Sequence, residues 1–265
     1  MKFHCFCLFA ITSIFLTGCS DPQTTPNVGS VEEPPALEQP EVPSVTDDTE
    51  VVSELTGLGA QFKKDDNGLI TEVSLIGTSA TDSDLEQLGK LTRLSSLRLN
   101  ETNVSDAGMK TVGTLANLTN LDLRGCSISN KSMKAIEGLT KLRALRLSGE
   151  SGATSVDDDG MTSVGKLTSL KALLLDHLWI SEVGLTELAS LENLEELYLA
   201  KTLIDDSSLG VLTQHPKLKK LRISQTQISD AGLESLTGLS NLTDLDLSEN
   251  SIISDLGMQH IGKIT

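Results

Sequence analysis

Apolar residues along this chain follow two alternating rhythms. Leu97 and Leu99 are two apart, as on one face of a strand, whereas Met109, Val112 and Leu115 are three apart, as on one face of a helix. Setting LSSLRLNETNVSDAGMKTVGTLAN, from Leu94, above LTNLDLRGCSISNKSMKAIEGLTK, from Leu118, brings these positions into register at a period of 24 residues. Further copies begin at Ile70, Leu142, Leu170, Leu194, Leu218 and Leu242, making eight. The fourth is longer by four residues around Gly149 to Ala153, and the eighth carries one extra between Ser251 and Ile253. Each copy predicts one short strand and one returning helical segment. Ser105 or Asp106 can cap that helix, because a side-chain oxygen satisfies its free N–H groups. Gly108, Gly160, Gly184, Gly232 and Gly257 fall just before its apolar face, where neighbouring backbones would crowd. One copy cannot bury its own leucines, so the core must come from stacking.

The shared pattern, L-x-x-L-x-L-x-x-T-x-I-S-D-x-G-L-x-x-L-x-x-L, resembles the leucine-rich repeat family from Ile70 to Thr265. The resemblance implies an α/β leucine-rich repeat solenoid, a horseshoe with a parallel concave sheet and short convex helices. It also implies a protein or peptide ligand on the concave face. Thr78, Thr102, Thr154, Thr202 and Thr226 share a slot with Cys126 and Leu178. Short polar groups there can bond the turn backbone, much as an asparagine ladder does in relatives, with Cys126 a buried weak donor. Residues 51–69 are expected to cap the stack, with Val52, Leu55 and Leu58 on a short helix and KKDDNG turning into the first strand. At the other end, Ile261 and Ile264 should be left exposed, by fraying or for weak self-association.

The opening segment, MKFHCFCLFAITSIFLTGC, has one basic residue and then an apolar run from Phe3 to Leu16, short for a bilayer span and suited to an export signal. Leu16, Thr17, Gly18 and Cys19 resemble the lipobox of bacterial lipoproteins. That resemblance implies a signal peptide over 1–18, a diacylglycerol thioether on Cys19 and an acylated amine. Each buried CH2 contributes about 0.8 kcal/mol, so two or three chains anchor stably. Ser20, where aspartate would mark inner-membrane retention, points to the outer membrane if the host has two. Residues 19–50 read as a lipidated, disordered tether, since Ser20–Glu50 holds six of the seven prolines, eight acidic residues and no basic one. Fully extended, the tether would reach roughly 100 Å.

Composition removes several functions. With 21 basic against 37 acidic residues, a net −16, the chain lacks the basic stripe that nucleic acid requires. No nucleophile motif, phosphate loop or zinc signature is present, so neither an enzyme nor a cofactor is expected. Asp157 to Asp159 align with the helix starts of sibling repeats and supply too few ligands for calcium. His215, before Pro216, reads as a partly buried helix-terminal residue.

Strand alternation assigns the outward column Ser74, Arg98, Asp122, Arg146, Leu174, Tyr198, Arg222, Asp246. Arg98, Asp122 and Arg146 are spaced to neutralise one another, as are Arg222 and Asp246. The centre is different. Leu174 and Tyr198 are neighbours, and the same two repeats place Trp179 and Leu203 where others have Asn103, Ser127, Ser155 or Gln227. With His177 beside them and Arg146 and Arg222 at the rim, this composition matches binding hot spots. Trp179 is either open or covered by the Gly149–Ala153 insertion. The expectation is a membrane-anchored, non-catalytic protein of the bacterial cell envelope that binds a protein or peptide. The alternative is a structural or assembly protein that stacks through its C-terminal end.

Overall fold

The computed structural model describes residues 46–264, so the expected signal peptide, Cys19 and most of the tether lie outside the described residues. The strands form one open sheet in the order β1-β2-β3-β4-β5-β6-β7-β8-β9, parallel throughout except for β1. Strands β2 (Ile70–Ser74), β3 (Ser96–Arg98), β4 (Asn120–Asp122), β5 (Ala144–Ser148), β6 (Ala172–Asp176), β7 (Glu196–Tyr198), β8 (Lys220–Arg222) and β9 (Asp244–Asp246) each open one repeat. The register is the sequence register: Leu97 pairs with Leu121, Leu121 with Leu145, and Leu145 with Leu173. Leu97, Leu121, Leu145, Leu173 and Leu197 are all buried, so one repeat's leucine packs on the next along the stack. The helical returns are short: a 3-10 segment (Asp82–Lys90), then α2 (Met109–Val112), α3 (Asn130–Ile136), α4 (Asp158–Val164), α5 (Glu182–Glu187), α6 (Asp206–Leu212), α7 (Asp230–Leu233) and α8 (Asp255–Ile261). None of the described helices is long and apolar enough to cross a membrane.

The N-terminal cap starts earlier than its apolar pattern suggests. Helix α1 spans Thr49–Gly57, and Asp48 caps it by accepting from the N–H groups of Glu50 at 3.0 Å and Val51 at 3.4 Å. Asp47 accepts from the Ile70 N–H at 2.6 Å, which ties the cap to the first repeat. Three acidic residues of the expected tether, Asp47, Asp48 and Glu50, thus belong to the cap. The cap also adds a strand, β1 (Gln61–Lys64), antiparallel to β2. It covers the sheet edge that would otherwise present unpaired backbone groups.

Two polar ladders stitch the repeats. In the first, Thr102 Oγ1 donates to the Leu99 carbonyl at 2.7 Å, Cys126 Sγ reaches the same carbonyl at 3.0 Å, and Thr202 repeats the Thr102 bond at 2.7 Å. Asn250 ends this ladder, donating to the Ile223 and Leu247 carbonyls while accepting from Thr226 N–H. Leu178 breaks it and is buried instead. The second ladder divides a task between the two residues at each helix start, such as Ser105-Asp106, Asp157-Asp158 and Ser181-Glu182. The serine caps its own helix, as Ser181 does for the Val183 N–H at 3.2 Å. The aspartate reaches across to the following repeat, where Asp158 accepts from Ser181 N at 2.8 Å and from its hydroxyl. Asp82 with Ser105, Asp106 with Ser129, Asp206 with Ser229 and Asp230 with Ser254 repeat that bidentate geometry. The hydroxyl and backbone bonds from Ser254 hold the Asp230 carboxyl below the usual carboxylate range.

This second ladder explains the glycine column. A Cβ on Gly108 would lie 2.5 Å from Asp82 Oδ1, and side chains at Gly160, Gly184, Gly232 and Gly257 would meet the equivalent Asn130, Asp158, Asp206 and Asp230 oxygens. The crowding is between a glycine and the neighbouring repeat's side-chain oxygen more than between backbones. Two serines occupy the slot instead: Ser132 donates its hydroxyl to the reaching Asp106, and Ser208 stands at the step where Glu182 replaces the aspartate and accepts from Ser207.

The C-terminal end departs from expectation in detail. Helix α8 is formed through Ile261, and Ile261 and Ile264 are partly buried against the core. The exposed apolar residues of the last repeat are Ile252, Leu256 and Met258. His215 is fully buried, not partly. Its Nδ1 lies 3.3 Å from the Leu191 carbonyl and its Nε2 has no partner among the described residues, and burial lowers its pKa. It stands where sibling repeats carry leucine, as at Leu191 and Leu239.

Candidate functional site

Backbone alternation settles the orientation of Trp179. After each sheet strand the chain turns through a residue with positive φ, among them Glu101, His177 at +62°, Lys201 and Gln225. It then enters a second, shorter ladder along the rim, in which Trp179 pairs with Asp157 and the Leu203 N–H donates to the Ile180 carbonyl at 2.9 Å. Side chains alternate in such a ladder. Leu178 and Ile180 point into the core, so Trp179 between them must point out, and it is 71% exposed. Leu203, one repeat on, is 43% exposed for the same reason.

The insertion does not cover the tryptophan. Gly149 donates to the Asp176 carbonyl at 3.1 Å and Gly152 closes a turn back to the Gly149 carbonyl at 2.9 Å. Gly149 lies so close to the His177 carbonyl and Leu178 that an added side chain would collide with them. The insertion therefore rests on the His177–Leu178 backbone and forms one wall of a shallow cavity of about 280 Å³. Glu150, His177, Trp179, Lys201 and Leu203 line the rest.

Leu174 and Tyr198 sit on the sheet face, half-buried and in direct register. Arg222 pairs with Tyr198 in the next rung, and its guanidinium carbon lies 4.8 Å from the ring centroid. The same guanidinium bridges Asp246 and Asp176, each at 3.3 Å. The expected Arg222–Asp246 pair is present, and Asp176, which the outward column omits, completes it. The two carboxylates hold the guanidinium in cation–π contact over the tyrosine ring, and Leu174 is the ring's neighbour on the preceding rung.

The expected apolar patch is thus two patches. Leu174 and Tyr198 face the sheet side, Trp179 and Leu203 face the rim, and the His177 and Lys201 turns lie between them in sequence. Val183, absent from the outward column because it belongs to the start of α5, is 67% exposed and extends the rim group. Its apolar character at a position held elsewhere by Ala107, Lys131 and Ala231 is the sequence signal for it.

The charge pattern near the N-terminal side also differs. Asp122 does not bridge Arg98 and Arg146. Arg124, two residues along the same face, takes both its oxygens, Nε to Oδ1 at 2.9 Å and Nη2 to Oδ2 at 2.7 Å. The Asp122 side chain is consequently only 4% exposed beneath that guanidinium. Bonding to Asp122 raises the Arg124 pKa further, with Glu101 and Asp176 adding to it. Arg98 and Arg146 make no ion pair within the described residues, and a cavity of about 340 Å³ opens between them. In the acidic triplet, Asp157 caps α4 by accepting from the Asp159 N–H, and Asp158 accepts from Ser181. Among the described residues no group of three or more His, Cys, Asp or Glu side chains is placed to hold a metal.

Residues 92–151 match the family model described as leucine rich repeat, and residues 216–260 the one described as leucine rich repeats in two copies. No curated protein sequence matches the chain. Among solved structures the chain is similar to internalin C2 of Listeria monocytogenes strain 4b F2365, at 24% identity and a TM-score of 0.61, covering 83% of this chain and 90% of that one. A second internalin (inlF) of the same strain aligns over 83% of this chain and 93% of that one, at 16% identity and a TM-score of 0.33.

Proposed function

We propose that this chain, a repeat solenoid matched by leucine rich repeat models over residues 92–151 and 216–260, is a non-catalytic lipoprotein of the bacterial cell envelope. Its partner is a protein or peptide bound by repeats four to seven. The observation that carries the binding reading is Trp179, the single tryptophan of the chain, standing 71% exposed beside Leu203 at the edge of a sheet face bearing Leu174 and Tyr198. Aromatic and aliphatic side chains kept in water on a rigid scaffold are what an interface core is made of. An extended, shallow sheet face suits recognition by shape and offers little exclusion of water. The lipobox-like Leu16–Cys19 run supports anchoring at Cys19, with the outer membrane as destination in a two-membrane host.

A photoreactive amino acid at position 198 in the native envelope is expected to trap a discrete polypeptide, with a probe at the convex position Thr186 giving none. Equal trapping from both sites would remove the sheet face as the binding surface. In the same cells a Cys19→Ala chain should leave the membrane fraction; continued retention would refute the lipid anchor.

A second reading, assembly through the C-terminal end, is favoured by one observation. Leu242, Leu245 and Leu247 are only partly buried where Leu218, Leu221 and Ile223 are fully so, and Ile252, Leu256 and Met258 are exposed beside them. A dimer growing with concentration in native mass spectrometry and abolished by Met258→Glu is expected on this reading; a monomer at all concentrations rejects it.

A further inference from the structure

We infer that the cavity between Arg98 and Arg146 is an acidic-side-chain subsite, so that the bound segment carries aspartate or glutamate about three to five residues from an apolar side chain. The inference rests on the peptide-binding reading and specifies its ligand. Arg98, Arg124 and Arg146 stand on three successive rungs, β3, β4 and β5. Two carboxylates line the cavity: Asp122, covered and satisfied by Arg124, and Glu72, on the neighbouring strand β2 and paired with Lys63 at 2.9 Å. The side chains at Arg98 and Arg146 are half-buried yet without a described ionic partner, in a chain whose net charge is −16. Other basic side chains on the sheet have carboxylates, as Lys63 has Glu72, Lys220 has Glu196, and Arg222 has Asp176 and Asp246, while Lys64 on the edge strand is exposed. Two guanidiniums without an ionic partner among the described residues, beside a cavity, present forks that fit a carboxylate bidentately.

The geometry also sets the spacing. Neighbouring rungs are about 4.8 Å apart, so the middle of the arginine row lies about 12 Å from the midpoint between Leu174 and Tyr198. An extended peptide covers that distance in about four residues. Because charges are screened beyond about 8 Å at physiological salt, the acidity of the rest of the chain does not cancel a local contact. The pair of arginines fixes register along the sheet, and the apolar rungs supply burial.

Selection of a randomised, displayed twelve-residue peptide library on the full chain tests this. Expected are sequences with Asp or Glu three to five positions from Leu, Ile, Phe, Tyr or Trp, whose affinity for Arg98→Ala/Arg146→Ala falls at least tenfold, the loss shrinking at high salt. The Arg98→Lys/Arg146→Lys chain should show an intermediate loss, since it keeps the charge and loses the fork. Circular dichroism of each variant controls for folding. Apolar sequences that depend on Tyr198 and ignore both arginines would overturn this inference and spare the peptide-binding reading. Enrichment of nothing, or of sequences indifferent to Tyr198 and to both arginines, would overturn both.

Discussion

Replacing Gly184 with alanine is expected to destabilise the folded repeats by about 3 kcal/mol, although it adds one methyl group. The new Cβ would meet Asp158 Oδ1, and it would also stand 3.1 Å from Met161 Cγ and 3.2 Å from the Asp158 Cα. Asp158 cannot swing aside freely, because its carboxylate holds both the backbone N–H and the hydroxyl of Ser181. Overpacking of this kind costs about 1–3 kcal/mol, and each hydrogen bond to a charged group about 1.5–3 kcal/mol, so a partial loss of both gives the figure. Gly210 provides the control. It lies in α6 with nothing within 4 Å of its would-be Cβ, and alanine there should stabilise by about 0.5–1 kcal/mol through helix propensity. Urea midpoints that move in opposite directions for the two variants confirm the ladder. Equal, small shifts would mean that the Asp158–Ser181 contact yields to the methyl group, and the explanation of the glycine column would fail.

The contrast between these two glycines shows what the sequence makes legible. A 24-residue period places each leucine on its strand and each strand beside its neighbour, because stacking leaves one register that buries them all. The rim orientation of Trp179 follows from the same alternation, with Leu178 and Ile180 committed to the core on either side. Contacts between repeats are less visible. That Asp158 bonds Ser181, 23 residues away, and thereby excludes a side chain at Gly184 depends on rotamers and on the offset between helices, which a periodic pattern does not encode. Arg124 is a similar case. It shares a face with Asp122 by alternation, yet only its reach decides that it, and neither Arg98 nor Arg146, neutralises that carboxylate. The cap was hidden differently. Asp47 and Asp48 look like the end of an acidic run and act as a backbone acceptor and a helix cap.

The second large effect concerns binding. Tyr198→Ala with Trp179→Ser is expected to weaken the partner complex by at least 2 kcal/mol, the threshold for a hot-spot residue, which corresponds to about 30-fold in Kd. Neither change should unfold the protein. Trp179 is 71% exposed, and Tyr198 is half-buried on the sheet face with the Arg222 guanidinium over its ring, so no core cavity forms. The two positions belong to adjacent repeats, Trp179 on the rim ladder and Tyr198 on the sheet face, so a ligand touching both must wrap from the sheet face onto the rim. Single substitutions show whether it does. A partner confined to the sheet responds to Tyr198 alone, and one confined to the rim cavity beside the Gly149 turn responds to Trp179 alone.

The central claim, that repeats four to seven bind a polypeptide through this surface, is met most directly by titration calorimetry with the polypeptide trapped from position 198. The native chain and the Tyr198→Ala/Trp179→Ser chain are compared at equal salt. A Kd raised about 30-fold or more, with an unchanged urea midpoint, is the predicted result; an unchanged Kd would contradict the assignment.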